Sequence, residues 1–182
     1  FLAKNIVKIE KILENFVKDI NIILDDKEFF PIEISIKKDH NGNSISQENL
    51  INPLNVLKNL CQFSFKDKKI IHMLIENYQI DGKDYSFLPE NLKCNNFSLD
   101  IKFICLSKNL IEHYELVLKR YHILVNQILN AEYIEQFQDQ QNPNIYTTAS
   151  RIISGYNNNE ISLVNKTLKS KGFFEKFFDL FS

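Results

Sequence analysis

The chain has 182 residues and a formal net charge of −1, and it is long enough to bury a core without disulfide cross-links. The low charge and the presence of only two arginines, Arg120 and Arg151, disfavour nucleic acid as a partner. No apolar run approaches the length of a membrane span. Three cysteines without metal-site spacing favour a reduced, cytoplasmic compartment, although the sequence opens at Phe1 without a methionine and we expect it to be an excerpt.

The N-terminal segment carries apolar residues in alternating steps of four and three. This spacing predicts an amphipathic helix from Leu2 to Leu24. After Pro31, apolar and polar residues alternate from Ile32 to Lys37, which predicts a strand with one buried face. The strand is expected to end at the turn formed by residues 40–43. The residues of the helical stripe are Leu2, Ile6, Ile9, Leu13, Phe16, Ile20 and Ile23.

Two further helices are predicted in the middle of the chain. The first begins at Asn52 and Pro53, a favourable cap followed by a favourable first residue. The second is expected from Asp67 to Tyr78, with apolar residues at helical spacing. Asp81 and Gly82 then favour a turn, and a short second strand is possible over residues 85–88.

A second heptad pattern predicts one long helix from Ser98 to about Phe137. Its face should pack against the N-terminal stripe, because both are too apolar to remain in water. Residues 136–144 are polar and end in Asn142-Pro143, so they form the best candidate linker. The repeating positions of this second pattern are Phe103, Leu110, Val117 and Leu124.

The linker predicts a division into a helical core domain, residues 1–141, and a C-terminal segment, residues 142–182. Short amphipathic helices are expected at Ile145 to Ile153, closed by Gly155, and at Ile161 to Leu168. Beyond them lies an aromatic stripe that would face one side of a helix. We predict that this stripe is buried, either by folding back onto the chain's own core or by binding a partner protein, with contact with a membrane surface as the alternative. Its residues are Phe173, Phe174, Phe177, Phe178 and Phe181.

Groups with catalytic potential are scattered. None of the four histidines pairs with another at a spacing of three or four, and the glycines form no phosphate-binding loop. Asp25, Asp26, Glu33 and Lys37 surround the predicted strand, but their spacing does not match the acids and lysine of a metal-dependent nuclease. We therefore predict no catalytic residue, no metal and no cofactor. The histidines are His40, His72, His113 and His122.

Together these patterns predict a mainly α fold, a helical bundle built on two long amphipathic helices with a small β element. The expected function is a non-enzymatic interaction or assembly subunit that docks through apolar helix faces or the aromatic tail. A protein partner or a homo-oligomer is favoured. A small hydrolase or nuclease-like enzyme, and peripheral membrane binding through the tail, are the alternatives.

Overall fold

The computed structural model describes residues 2–89, 91–141 and 143–161, and within these residues the chain forms six strands and five α-helices. The predicted helical bundle is therefore wrong, because the fold is mixed α/β. A 3₁₀ turn, Gln47–Leu50, precedes the second helix. In chain order the elements are α1 (Leu2–Leu13), β1 (Asp19–Leu24), β2 (Phe30–Ser44), α2 (Ile51–Ser64), β3 (Lys68–Ile80), β4 (Lys83–Tyr85), β5 (Lys93–Ser107), α3 (Lys108–Lys119), β6 (Leu124–Asn130), α4 (Ala131–Glu135) and α5 (Ile145–Ile153).

The strands form two sheets. Four are antiparallel in the order β2-β5-β3-β4, and the other two, β1 and β6, form a parallel pair. One face of the larger sheet is covered by α2 through Leu54, Leu57 and Cys61. These residues pack over the buried side chains of β3 and β5, including Met73 and Phe103, so the main core lies between this helix and this sheet.

The opposite face of the larger sheet is only partly covered. Its covered part packs against the smaller sheet, α3, α4 and α5, in clusters that include Leu74, Ile104 and Leu106. Its remaining part is polar: Ser35, Asp100 and Asn77 form a hydrogen-bonded row across three strands. The smaller sheet and the C-terminal helices are therefore placed at one end of the larger sheet.

The predicted first helix is correct only in its N-terminal half. The helix α1 ends at Leu13, where Glu14 adopts a positive φ of 51°. The second half of the segment is the strand β1, in which Ile20, Ile22 and Ile23 pair with residues of β6. Because β-branched side chains restrict χ1 and pack well on a pleated surface, tertiary pairing overrides the helical spacing here.

The helix predicted from Asp67 to Tyr78 is wrong, since this segment is the strand β3. Register shifts between Ile70 and His72, and again between Ile75 and Asn77, insert an extra residue at two points. After each bulge, the side chains that face the main core are shifted by one residue along the sequence. The side chains that enter the main core are consequently Ile70, Met73, Ile75, Tyr78 and Ile80.

The long helix predicted from Ser98 to Phe137 is also wrong. The segment is divided among β5, α3, β6 and α4, and its heptad positions do not share one face. Phe103 is fully buried in β5, whereas Leu124 is 70% exposed at the start of β6. The predicted packing of this face against the N-terminal stripe therefore does not occur, although Ile22 of β1 and Leu110 of α3 both pack against the same buried cluster.

Other predicted elements are confirmed. Residues 32–37 lie in β2, although the strand continues beyond the predicted turn, where Asn41 and Gly42 have positive φ. The Asp81-Gly82 turn joins β3 to β4, with Ile80 paired to Lys83. The helix α5 spans the predicted residues, and Asn144 caps it by accepting hydrogen bonds from two backbone N–H groups. Among the described residues, no helix is both long and apolar enough to cross a membrane.

Candidate functional site

The predicted partner-binding residues Phe173, Phe174, Phe177, Phe178 and Phe181 lie outside the described residues, as does the helix predicted from Ile161 to Leu168. Within the described residues, three of the four histidines are at least partly exposed, and His72 alone is buried. Glu33 approaches Lys102 at 3.8 Å. In the described parts of the chain, no group of three or more His, Cys, Asp or Glu side chains has the geometry to hold a metal ion.

His72 belongs to a polar network, which consists of His72, Asn130, Tyr133, Asn157 and Glu160. One carboxylate oxygen of Glu160 lies 2.7 Å from His72 Nδ1, and the other accepts a 2.7 Å hydrogen bond from the Tyr133 hydroxyl. The Asn157 side-chain amide donates to the same hydroxyl at 2.9 Å. The Asn130 backbone N–H donates to His72 Nε2 at 3.1 Å. The network thus links β3, the end of β6, α4 and the C-terminal described segment.

The hydrogen bonds of His72 fix its tautomer. Since Nε2 accepts from a backbone N–H, it must carry a lone pair, and the ring proton is on Nδ1, where it donates to Glu160. Both ring nitrogens are therefore occupied by protein groups. A general base needs a free nitrogen within reach of its substrate, and His72 in this arrangement offers none. The network is best understood as a cross-link between the two sheets.

Tyr133 is held in its protonated form by its surroundings. Burial raises the pKa of the Tyr133 hydroxyl well above its usual value, and the nearby negative charge of Glu160 raises it further. The ring also lies 4.5 Å from the His72 ring, centroid to centroid. A tyrosine in this state serves as a hydrogen-bond donor and a packing group, which agrees with a structural role for the network.

A groove of about 870 Å³ opens beside the network. His72 and Glu160 lie on its wall, together with amide side chains of residues 157–159. Four lysines also line it: Lys58, Lys68, Lys69 and Lys108. Ile161, the last described residue, forms part of the same wall.

The described cysteines are buried and reduced. Burial raises the pKa of Cys105 to about 12, and the neighbouring Cys61 adds to this rise. Burial likewise raises the pKa of Cys61 and of Cys94. Because the thiolate is the reactive form, these three residues have the properties of core side chains and lack those of nucleophiles.

The clearest candidate site is an apolar surface on α1. No residue of this helix is buried, although its sequence is strongly amphipathic. Ile12 is 80% exposed, and Phe16, just beyond the helix, is 78% exposed. A neighbouring apolar groove of about 590 Å³ separates the helix from Tyr121 and His122. We call this the α1 surface; its exposed apolar residues are Val7, Ile9, Ile12, Leu13 and Phe16.

No protein-family model matches the chain. No curated protein matches it in sequence either.

Sequence reasoning missed the polar network and found half of the α1 surface. His72 lies in an apolar run between Ile71 and Met73, which is a signal for a buried, partnered histidine. Glu160 has no comparable signal, because its partners lie 27 and 88 residues away in the sequence. The apolar stripe of α1 was evident, but the prediction assigned it to a core that does not cover it.

Proposed function

We propose that this protein is a non-enzymatic interaction subunit that docks on a partner protein through the α1 surface. The observation that carries the proposal is the exposure of α1: a typical amphipathic helix buries its apolar stripe, whereas this helix leaves four large apolar side chains exposed, with Phe16 just beyond it. Exposed apolar side chains grouped on one short segment favour a protein or membrane contact. The three buried thiols agree with a reduced, cytoplasmic setting for such a subunit.

The sequence of α1 supports a helix as the docking element of the partner. Leu2, Ile6, Ile9 and Leu13 are separated by steps of four, three and four, the spacing by which one helix receives the side chains of another. Lys4, Lys8 and Lys11 lie within about 60° of one another on the face of the helix opposite this stripe, so a partner helix on the stripe does not contact them. A partner helix with an apolar stripe of the same spacing would complement α1.

A synthetic helical peptide tests this proposal directly. The peptide carries leucine at its a and d positions, and an otherwise identical peptide carries serine there. We expect the leucine peptide to bind more tightly, by fluorescence anisotropy. Ile9→Asp and Leu13→Asp should each weaken binding at least about tenfold, because each places a charge in the buried stripe.

The matched control is Leu116→Asp, because Leu116 is a similarly exposed leucine on a different helix. It should leave both binding and the melting temperature unchanged. Equal binding of the leucine and serine peptides, or no effect of Ile9→Asp and Leu13→Asp, would contradict the proposal. Binding to anionic lipid vesicles that these two variants abolish, without peptide binding, would favour a membrane surface instead.

The aromatic tail is proposed as a second docking element, on the strength of its sequence alone. The triple variant Phe174→Ser, Phe177→Ser, Phe178→Ser should keep the wild-type melting temperature. In quantitative pull-downs, this variant should also fail to bind proteins that the wild-type protein and the Leu116→Asp variant both bind. A lower melting temperature with the same retained proteins would show that the tail packs on its own chain. Loss of vesicle co-sedimentation alone would favour a membrane contact.

A further inference from the structure

The strand β2 forms an edge of the larger sheet. In the part of the chain that the structure describes, β5 is its only strand neighbour. From Phe30 to Asp39 the pairing with β5 is regular, one residue opposite one residue. One row of backbone N–H and C=O groups of β2 therefore points away from the sheet without a described strand partner. Such an edge is able to pair with another strand.

Apolar side chains border this edge on the face that carries α2. Ile32, Ile34 and Ile36 are only half-buried against the main core. Lys58 and Gln62 of α2 line the groove beside the polar network, which lies on the β3 side of the helix. The opposite flank of α2 is therefore directed toward β2. That flank bears exposed apolar residues, with Leu60 49% exposed and Phe63 72% exposed. A strand added to β2 would bury part of this apolar surface.

The sequence of β2 is complementary to itself. In an antiparallel pair of two β2 strands centred on Ser35, Glu33 of each strand lies opposite Lys37 of the other. On the other face, Ile34 lies opposite Ile36, so apolar residues meet on the α2 side. A shift of the register by two residues in one direction places Glu33 opposite Asp39, a pair of like charges. A shift by two residues in the other direction places Glu33 opposite Ser35, so the pairs between Glu33 and Lys37 are lost. The register centred on Ser35 is thus favoured over its neighbours.

We infer that β2 is a dimerisation strand through which two copies of this chain join their larger sheets into one. The paired segment is residues 32–38, because Pro31 lacks an N–H group and the register shift between Asp39 and Asn43 ends the regular strand. The α1 surface is not part of this interface. The inference is therefore independent of the proposed docking function, and either one is able to fail without the other.

A cross-linking experiment tests the register. Ser35→Cys places two thiols opposite each other across the two-fold axis, where Cα atoms of opposed antiparallel residues are about 4.5–5.5 Å apart. This separation suits a disulfide. Oxidised glutathione, which accepts the two electrons and two protons, should convert the variant to a covalent dimer. Lys37→Cys is the control, because its thiols would be four residues out of register, about 13 Å apart, and should not cross-link.

Charge exchange tests the interface in solution. Wild-type protein should show a concentration-dependent dimer by sedimentation equilibrium. Glu33→Lys and Lys37→Glu should each weaken the dimer at least about tenfold, since each turns two opposite-charge pairs into like-charge pairs. The double variant should restore wild-type association. Glu112→Lys, an exposed charge on α3, and Ile9→Asp of the α1 surface should leave the dimer unchanged.

Three outcomes would each overturn the inference. The first is a wild-type monomer at every concentration up to its solubility limit. The second is a dimer that neither single charge variant weakens, or that the double variant does not restore. The third is equal cross-linking of Ser35→Cys and Lys37→Cys, which would exclude the register centred on Ser35.

Discussion

The polar network and the α1 surface both depart from the usual distribution of side chains, in which polar groups are exposed and apolar groups are buried. The network buries a histidine, a tyrosine and part of a glutamate, whereas the α1 surface leaves isoleucine and phenylalanine side chains in water. Among the described residues, each fully buried polar side-chain atom of the network has a hydrogen-bond partner within the chain. No residue of α1 is buried among the described residues. Of the two regions, the α1 surface therefore has the more free energy to gain from a partner.

Among the tests of this comparison, the removal of the Glu160 carboxylate should have the largest effect on stability. Glu160→Ala leaves the Nδ1–H group of His72 and the hydroxyl group of Tyr133 without their acceptor. We expect the free energy of unfolding to fall by about 2–5 kcal/mol, measured by urea denaturation. Glu135→Ala, at an exposed position in α4, should change it by less than about 0.5 kcal/mol. Similar effects of the two variants would show that the network is not a structural cross-link.

The buried thiols should make the free energy of unfolding decrease at alkaline pH. Because the pKa of Cys105 is about 12 in the folded chain and 9.0 without that environment, the unfolded state loses its proton first. The free energy of unfolding should therefore be undiminished below pH 9 and fall as pH rises from about 9 to about 12. The slope contributed by this thiol is about 1.4 kcal/mol per pH unit. Cys105→Ala should lower stability at pH 7 but flatten this decline. An unchanged slope would contradict the assignment.

Removing one hydroxyl from the network should have a smaller effect. Tyr133→Phe deletes the donor to Glu160 and the acceptor for Asn157, while the ring and its packing remain. We expect a loss of about 1–2 kcal/mol in the free energy of unfolding. Tyr146→Phe is the matched control, because Tyr146 is an exposed tyrosine in α5. If both variants retained wild-type stability, the hydroxyl would have no structural importance.

The smallest expected change in stability is at the α1 surface. Ile12→Ala should alter the free energy of unfolding by no more than about 0.5 kcal/mol, because the side chain is already exposed. Met73→Ala, at a fully buried position of the main core, should cost about 2–5 kcal/mol. Thermal denaturation of both variants provides the comparison. A large loss for Ile12→Ala would mean that α1 is covered in solution.

Local signals in the sequence were sufficient for some elements. Strict alternation predicted the part of β2 around Ile34, and Asp81-Gly82 predicted the turn after β3. The helix α5 was predicted because its capping residue, its apolar spacing and Gly155 agree with one another. Each of these signals lies within a few residues of the structure it determines.

The failures come from long-range pairing. Each bulge of β3 lengthens the interval between successive core-facing residues from two to three, so Ile70 is followed by Met73 and Ile75 by Tyr78. The strand therefore carries apolar residues at the spacing of a helix. In β5, residues 103–106 are buried on both faces, which removes the alternation that marks a strand. The polar network was not predictable for the same reason, because its members meet only after both sheets have formed.

The parallel pairing of β1 with β6 has a consequence for the order of folding. Asn21 and Asn126, which are hydrogen-bonded across this pair, are 105 residues apart in the chain, whereas β3 and β4 are joined by a two-residue turn. Closing so long a loop has a large entropic cost that local hairpins avoid. During synthesis, β1 cannot pair until β6 has left the ribosome, and most of the described chain precedes β6. We therefore expect the larger sheet to form first, and α1 to reach its final position only when the smaller sheet closes.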